Sequence, residues 1–242
     1  SYEMDKPEYP MNGELYYYYA YTLEMMGEKE QSVTFYNKAA DDGSTNPYVY
    51  VSMAEYYKSA NKADKAKAVL DKAKSALPNN MSIRLAEIDY YYWTGDMVAA
   101  QGLLGGISAN SIDNSDDLVN LANFYIREKN YDKANTLLEK ANRLSPNNFV
   151  ILYNLGVCTY NISENLFDQY NKLAVSNPNS AEAMDYKKQS DERMSASAQF
   201  FEKARVLEPK DMNLLVTLRA IYARQQSSKY DEIDRIIKEI EK

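Results

Sequence analysis

Apolar and small residues along this chain return in phase. Ala54, Tyr57, Ala66, Leu70, Ala73, Pro78, Asn79 and Asn80 recur 68 residues later as Ala122, Tyr125, Ala134, Leu138, Ala141, Pro146, Asn147 and Asn148. Half that interval is visible too: Ala20 precedes Ala54, Ala39 precedes Ala73, Tyr91 precedes Tyr125 and Ala100 precedes Ala134, each by 34 residues. Within a copy the apolar positions fall at helical spacing, as in Ala66, Leu70 and Ala73, and each copy has room for two helices and a turn. Such self-similarity predicts an all-α solenoid of about six helical hairpins, not a closed globule around one pocket. Surfaces rather than reacting groups are what it offers.

The same phase sets the organisation. Residues 1–12, with Pro7 and Pro10, read as an extended leader. Repeats follow at about 13–46, 47–80, 81–114, 115–148, 149–211 and 212–242. The third is degenerate, because Glu87 holds a slot that should be apolar and Gly105-Gly106 weakens the second helix. The fifth opens regularly with Leu152, Leu155 and Gly156, yet its closing residues Phe201, Ala204 and Pro209 arrive 29 residues late. The insertion, 162–196, has a turn at Asn177-Pro178-Asn179-Ser180, with one helical stripe before it (Ile162, Leu166, Tyr170, Leu173) and a thinner one after it that runs on past the insertion (Met184, Lys187, Met194, Ala198, Phe201). Both helices of that repeat are expected to lengthen by about four turns, roughly 20 Å, into a projecting arm. Tyr170, Met184, Tyr186 and Met194 are its candidate contacts, against the plainer reading of a tolerated surface elongation. At the end of the chain Tyr230, Ile233, Ile236, Ile237 and Ile240 form one stripe, that of a capping helix.

These features resemble the tetratricopeptide repeat family, whose pattern is an aromatic, Leu-Gly and a second aromatic on one helix, then Ala, Phe and Ala on the next, ending in Pro. Ala20, Ala54, Ala122 and Gly156 are small where two helices cross, Ala66, Ala73, Ala134 and Ala141 match them on the partner helix, and Pro78, Pro146 and Pro209 stop each second helix. The resemblance covers residues 13–242 and implies a right-handed α-α superhelix whose first helices line a concave face. Its inward slots would hold Tyr17, Tyr18 and Tyr21, then Val51, Ser52 and Glu55, then Asn120, Asn123 and Arg127, then Tyr153, Asn154, Val157, Tyr160 and Asn161. Tyrosine supplies contact area with a polar end, and asparagine pairs with a peptide backbone. The implied function is a non-catalytic scaffold that holds an extended segment of another protein in this Tyr/Asn-lined groove. The alternative is a self-associating module whose groove or arm engages another copy, a homo-oligomer. Family members that grip acidic chaperone tails use basic clamp positions; here those hold Val119, Val150, Asn213 and Thr217, so that activity is not expected.

Composition removes most other chemistry. There is no histidine, so no Ser-His, Cys-His or His-x-x-x-His arrangement exists; an enzyme, a metal and a cofactor are not expected. The acidic run Asp113-Asn114-Ser115-Asp116-Asp117 lacks the glycine and terminal Glu of a calcium loop and reads as a helix start capped by Ser115. Cys158 sits in an apolar segment, as a small buried residue would. The net charge of −7 argues against nucleic acid as a partner, and no stretch has the ~20 apolar residues of a membrane span. The Tyr- and Asn-rich composition with an elongated fifth repeat resembles bacterial cell-envelope members of the family. With a first residue other than Met, it favours a periplasmic or envelope location over a cytoplasmic one.

Overall fold

The computed structural model describes residues 12–177 and 179–241, so the expected leader lies outside the described residues except for Asn12. The chain divides into two compact units, 1–111 and 112–242. The first contains α1 (Gly13–Met25), α2 (Lys29–Asp41), α3 (Pro47–Ser59), α4 (Ala63–Ala76), α5 (Met81–Thr94) and α6 (Met97–Gly105), then a 3-10 turn at Ala109–Ser111. The second contains α7 (Ser115–Arg127), α8 (Tyr131–Leu144), α9 (Phe149–Ala174), α10 (Ala181–Leu207), α11 (Met212–Arg224) and α12 (Lys229–Ile240). No strand occurs among the described residues. Within each unit, successive helices pair as hairpins and the hairpins pack in chain order.

Two ladders of local signals place the helix ends. Asn12, Asn46, Asn80, Asn114 and Asn148, each 34 residues apart, cap the odd-numbered helices from α1 to α9, and Asp211 caps α11. Each side-chain oxygen accepts a backbone N–H of the first turn, worth about 1 kcal/mol. The cap of α7 is thus Asn114, whose Oδ1 accepts Asp117 N at 2.8 Å, rather than the expected Ser115. The even helices α4, α8 and α10 end at Ala76, Leu144 and Leu207, two residues before Pro78, Pro146 and Pro209. The second ladder is left-handed backbone: Gly27, Asn61, Gly95 and Lys129 have φ of 82°, 54°, 83° and 57°, just past α1, α3, α5 and α7.

The next rung would be residue 163, and there the helix runs on. Lys129 and Gln226 adopt the left-handed turn, so residue type at Ser163 does not decide this; the apolar stripe continuing beyond it does. Helix α9 has 26 residues against 13 in α7, and α10 has 27 against 14 in α8. Thirteen residues in each helix and three in the turn make up the 29-residue excess, and thirteen residues rise about 20 Å. Where the turn would have been, Ser163 Oγ donates to Ser190 O at 2.8 Å and Ser190 Oγ to Ser163 O at 2.9 Å. Both serines are fully buried.

Small residues set the close crossings. Ala20, Ala39, Ala73, Ala100, Ala122, Ala134 and Ala141 are fully buried. At Gly156 an added Cβ would lie 2.8–2.9 Å from the Phe201 ring, so the position tolerates no side chain as it stands. In the degenerate third hairpin α6 has only nine residues. Glu87 is buried there, but Lys74 Nζ reaches it at 2.8 Å, which explains how a carboxylate occupies an apolar slot. At the other end Ile233 and Ile237 of α12 lie under 2% exposed against Leu214, Leu215, Leu218 and Ile221, as a cap requires.

Candidate interaction surfaces

In the first unit, helical spacing puts Tyr17, Tyr18 and Tyr21 on one face of α1, and they are not isolated. Tyr48 of α3 meets Tyr17 and Tyr21 edge-on at 6.1 and 5.7 Å between ring centroids, and Tyr17 lies 5.0 Å from Tyr18. Tyr36 of α2 closes the cluster from inside, 6.2 Å from Tyr48 and 0% exposed. One carboxylate organises the phenols: Tyr36 Oη donates to Glu24 Oε2 at 2.6 Å and Tyr48 Oη to the same oxygen at 3.3 Å. Burial, then the Glu24 charge, pushes the Tyr36 pKa far above its ordinary value, so the phenol remains a donor. Tyr18, at 56% exposed, and Tyr21 and Tyr48, both at 39%, present ring surface to a visitor, whereas Tyr17 is half-buried.

In the second unit Asn120, Asn123 and Arg127 are exposed on α7. Across the neighbouring α9, Asn154 Nδ2 donates to Asn123 Oδ1 at 3.1 Å. Each Asn amide has a donor and an acceptor end, so whichever way the pair is oriented it offers one further donor and one further acceptor. That is the complement of a peptide unit. The other predicted residues on α9 are more committed. Tyr153 packs edge-on against Phe201 at 5.6 Å and beside Phe149 at 5.7 Å, and burial, then the Asp211 charge, raises its pKa. Tyr160 is likewise part of the core margin, its pKa raised by burial, then Glu164, against Arg224. Asn161 Nδ2 is spent on Val157 O at 2.8 Å. Tyr153, placed among the inward slots, is therefore only partly open: Phe201, delivered from beyond the insertion, covers one face of it.

On the arm, Tyr170 lies 5.6 Å from Phe167 with Lys187 Nζ over its ring at 5.8 Å, Tyr186 is half-buried, and Met184 is 46% exposed. Met194 is not a surface contact. It is 2% exposed in the core with Phe201 and Leu218, because it stands where a second helix of ordinary length would begin. The arm's base is tied to α11, where Arg224 forms an ion pair with Glu164 and stacks 4.3 Å over Phe167.

Among the described residues no three His, Cys, Asp or Glu side chains could hold a metal ion. Cys158 is fully buried, and burial pushes its thiol up to about 12, away from nucleophilic character. No helix among the described residues is long and apolar enough to cross a membrane. Sequence reasoning missed Tyr48 and Glu24. Tyr48 lies three and four residues before the inward slots Val51 and Ser52, so the helical spacing that selected those positions also points to it.

The family model described as tetratricopeptide repeat matches residues 118–148. Residues 118–148 are thus matched as one tetratricopeptide repeat. No curated protein matches the sequence. Among solved structures, the human IFIT1 dimer with m7Gppp-AAAA is similar at TM-score 0.67 and 17% identity, over 94% of this chain and 50% of IFIT1. MamA MSR-1 is similar at TM-score 0.52 and 20% identity, over 81% of this chain and 94% of MamA. The chain spans about half the length of IFIT1. At these identities the likeness is one of fold, a stack of helical hairpins.

One expectation falls here. Net charge was held to exclude nucleic acid, yet a fold of this kind is solved in IFIT1 with m7Gppp-AAAA and with PPP-AAAA. The physical reason is that −7 is a sum over the whole chain, whereas an oligonucleotide meets only a local surface, where ring stacking adds to charge. A net negative charge is thus no evidence against such a partner.

Proposed function

We propose that the protein is a non-catalytic scaffold that binds an extended segment of another polypeptide. The observation that carries this is the Asn123–Asn154 amide pair, joined at 3.1 Å across adjacent helices and open at both remaining ends. In the other unit the exposed rings of Tyr18, Tyr21 and Tyr48 offer contact area at little entropic cost. Arg127 and Asn120 flank the amide pair on the exposed face of α7. The test is selection from a displayed library of random 12-residue peptides on the intact chain. Enriched peptides should lose affinity about tenfold, ~1.4 kcal/mol, in Asn123→Ala/Asn154→Ala or in Tyr18→Ala/Tyr21→Ala. An Asn120→Ala control should bind less tightly by a smaller factor. Enrichment of nothing, or peptides indifferent to both double variants, refutes the reading.

A second reading has a specific observation behind it: the fold likeness to IFIT1 solved with capped and triphosphorylated oligonucleotides, together with exposed tyrosine rings on which bases could stack. Titration with PPP-AAAA at low and high salt separates the two. Saturable binding that Tyr18→Ala/Tyr21→Ala abolishes, with no peptide enriched, favours this reading over the first.

A further inference from the structure

Between α1, α2 and α3 the first unit holds a cavity of 180 Å³, well beyond the ~10–15 Å³ that one water needs. Ser32 lines it and is 2% exposed. The buried side-chain atom left without a partner among the described residues is Asn142 Oδ1, so the Ser32 hydroxyl is not sealed away but lines the cavity as a group that can both donate and accept. Two carboxylates share the lining, Glu24 and Glu55. Both phenols that hold Glu24 bond to its Oε2, which leaves Oε1 for a further donor. Val33 and Tyr56 supply an apolar wall. The positive charges nearby are Lys29 in the lining and Lys58, which reaches Glu55 at 3.2 Å but is shared with Asp89.

We infer that this cavity receives a cationic side chain, a lysine or arginine carried by the polypeptide segment, and the inference rests on the polypeptide reading above. The ammonium or guanidinium group donates to Glu24 Oε1 and to the Ser32 hydroxyl oxygen, with Glu55 supplying the second negative charge. Its methylene stem lies along Val33 and the Tyr56 ring. Hydrogen bonds to an ionised acceptor are the strong ones, and the two phenols already fix Glu24, so little ordering is lost on binding.

The probe is N-acetyl-arginine amide, with N-acetyl-citrulline amide as its neutral isostere, titrated into the intact ¹⁵N-labelled chain. The arginine probe should shift the amide signals of Glu24, Ser32 and Glu55 with millimolar affinity, weakened several-fold between about 50 and about 500 mM salt. Glu24→Gln keeps an acceptor for Tyr36 and should weaken the probe about tenfold; Ser32→Ala should weaken it by a smaller factor. Equal shifts from citrulline, or an unchanged affinity in Glu24→Gln with its helical circular dichroism intact, overturn the inference. Peptide selection keeps the two readings apart. Enriched peptides that lack Lys and Arg and bind Glu24→Gln as tightly as the parent remove the cation site alone, whereas arginine-probe binding without any enriched peptide removes the polypeptide reading alone.

Discussion

Gly156→Ala should destabilise the fifth hairpin although alanine is the better helix former. The new Cβ would stand 2.8, 2.9 and 2.9 Å from three atoms of the Phe201 ring, where carbon contacts are comfortable at about 3.5–4.0 Å. The ring is 0% exposed and cannot swing into solvent, and Ser197 Oγ bonds Gly156 O at 2.8 Å, so the two helices cannot part freely. Overpacking of this kind costs about 1–3 kcal/mol, against about 1 kcal/mol gained from the helix propensity of Ala over Gly. The second number is measured separately by Gly102→Ala in α6, where a Cβ would meet nothing within 4 Å. The difference between the two substitutions therefore isolates the packing cost at about 1–3 kcal/mol, or roughly 2–12 °C in Tm at 2–4 °C per kcal/mol. Gly102→Ala is followed by fluorescence of Trp93, the only tryptophan, on α5, and Gly156→Ala by amide exchange in α9 and α10. Adding Phe201→Leu should relieve part of the Gly156→Ala cost in a double-mutant cycle. If Gly156→Ala is as stabilising as Gly102→Ala, or uncoupled from Phe201→Leu, the argument that this glycine exists for a close helix crossing is wrong.

Ser163→Ala and Ser190→Ala should each cost about 1 kcal/mol in urea unfolding, and should not simply add, because the two hydroxyls, each donating to the opposite backbone carbonyl, also lie 3.1 Å apart. Tyr36→Phe removes a 2.6 Å bond to a carboxylate and should cost about 1.5–3 kcal/mol without loss of helical signal. The raised pKa values of Tyr36 and Tyr222, each due first to burial and then to a carboxylate partner, make stability alkali-sensitive. Their contribution is complete below about pH 10, where tyrosine in the unfolded chain ionises, and is lost as pH rises above it; urea midpoints that hold steady above that pH would contradict this. Cys158, fully buried, should react with Ellman's reagent at the rate of local opening in the native state and at once in denaturant.

The fold was legible because the alanines that allow close crossings keep one spacing and their burial follows from it. The candidate surfaces were legible only where local spacing decides exposure, as at Tyr18 and Asn123. The partial cover of Tyr153 could not be read locally, because the ring that covers it, Phe201, lies beyond the 29-residue excess and is placed by the pairing of two long helices. Met194 misled for the same reason: a methionine in a helical stripe gives no sign of which neighbour it meets. Glu24 stayed hidden because its role depends on phenols from α2 and α3 meeting at one oxygen. The error over nucleic acid had another source, a bulk charge used to judge a local surface.

The helix that runs through Ser163 has a further consequence for how this protein can vary. Thirteen residues out along α9 are balanced by thirteen back along α10, so Asp211 still caps α11 as though nothing intervened. Matched insertions or deletions at the distal end would change reach while leaving the register of the hairpins untouched. Evolution, or an engineer, could graft a different recognition tip there without redesigning the rest.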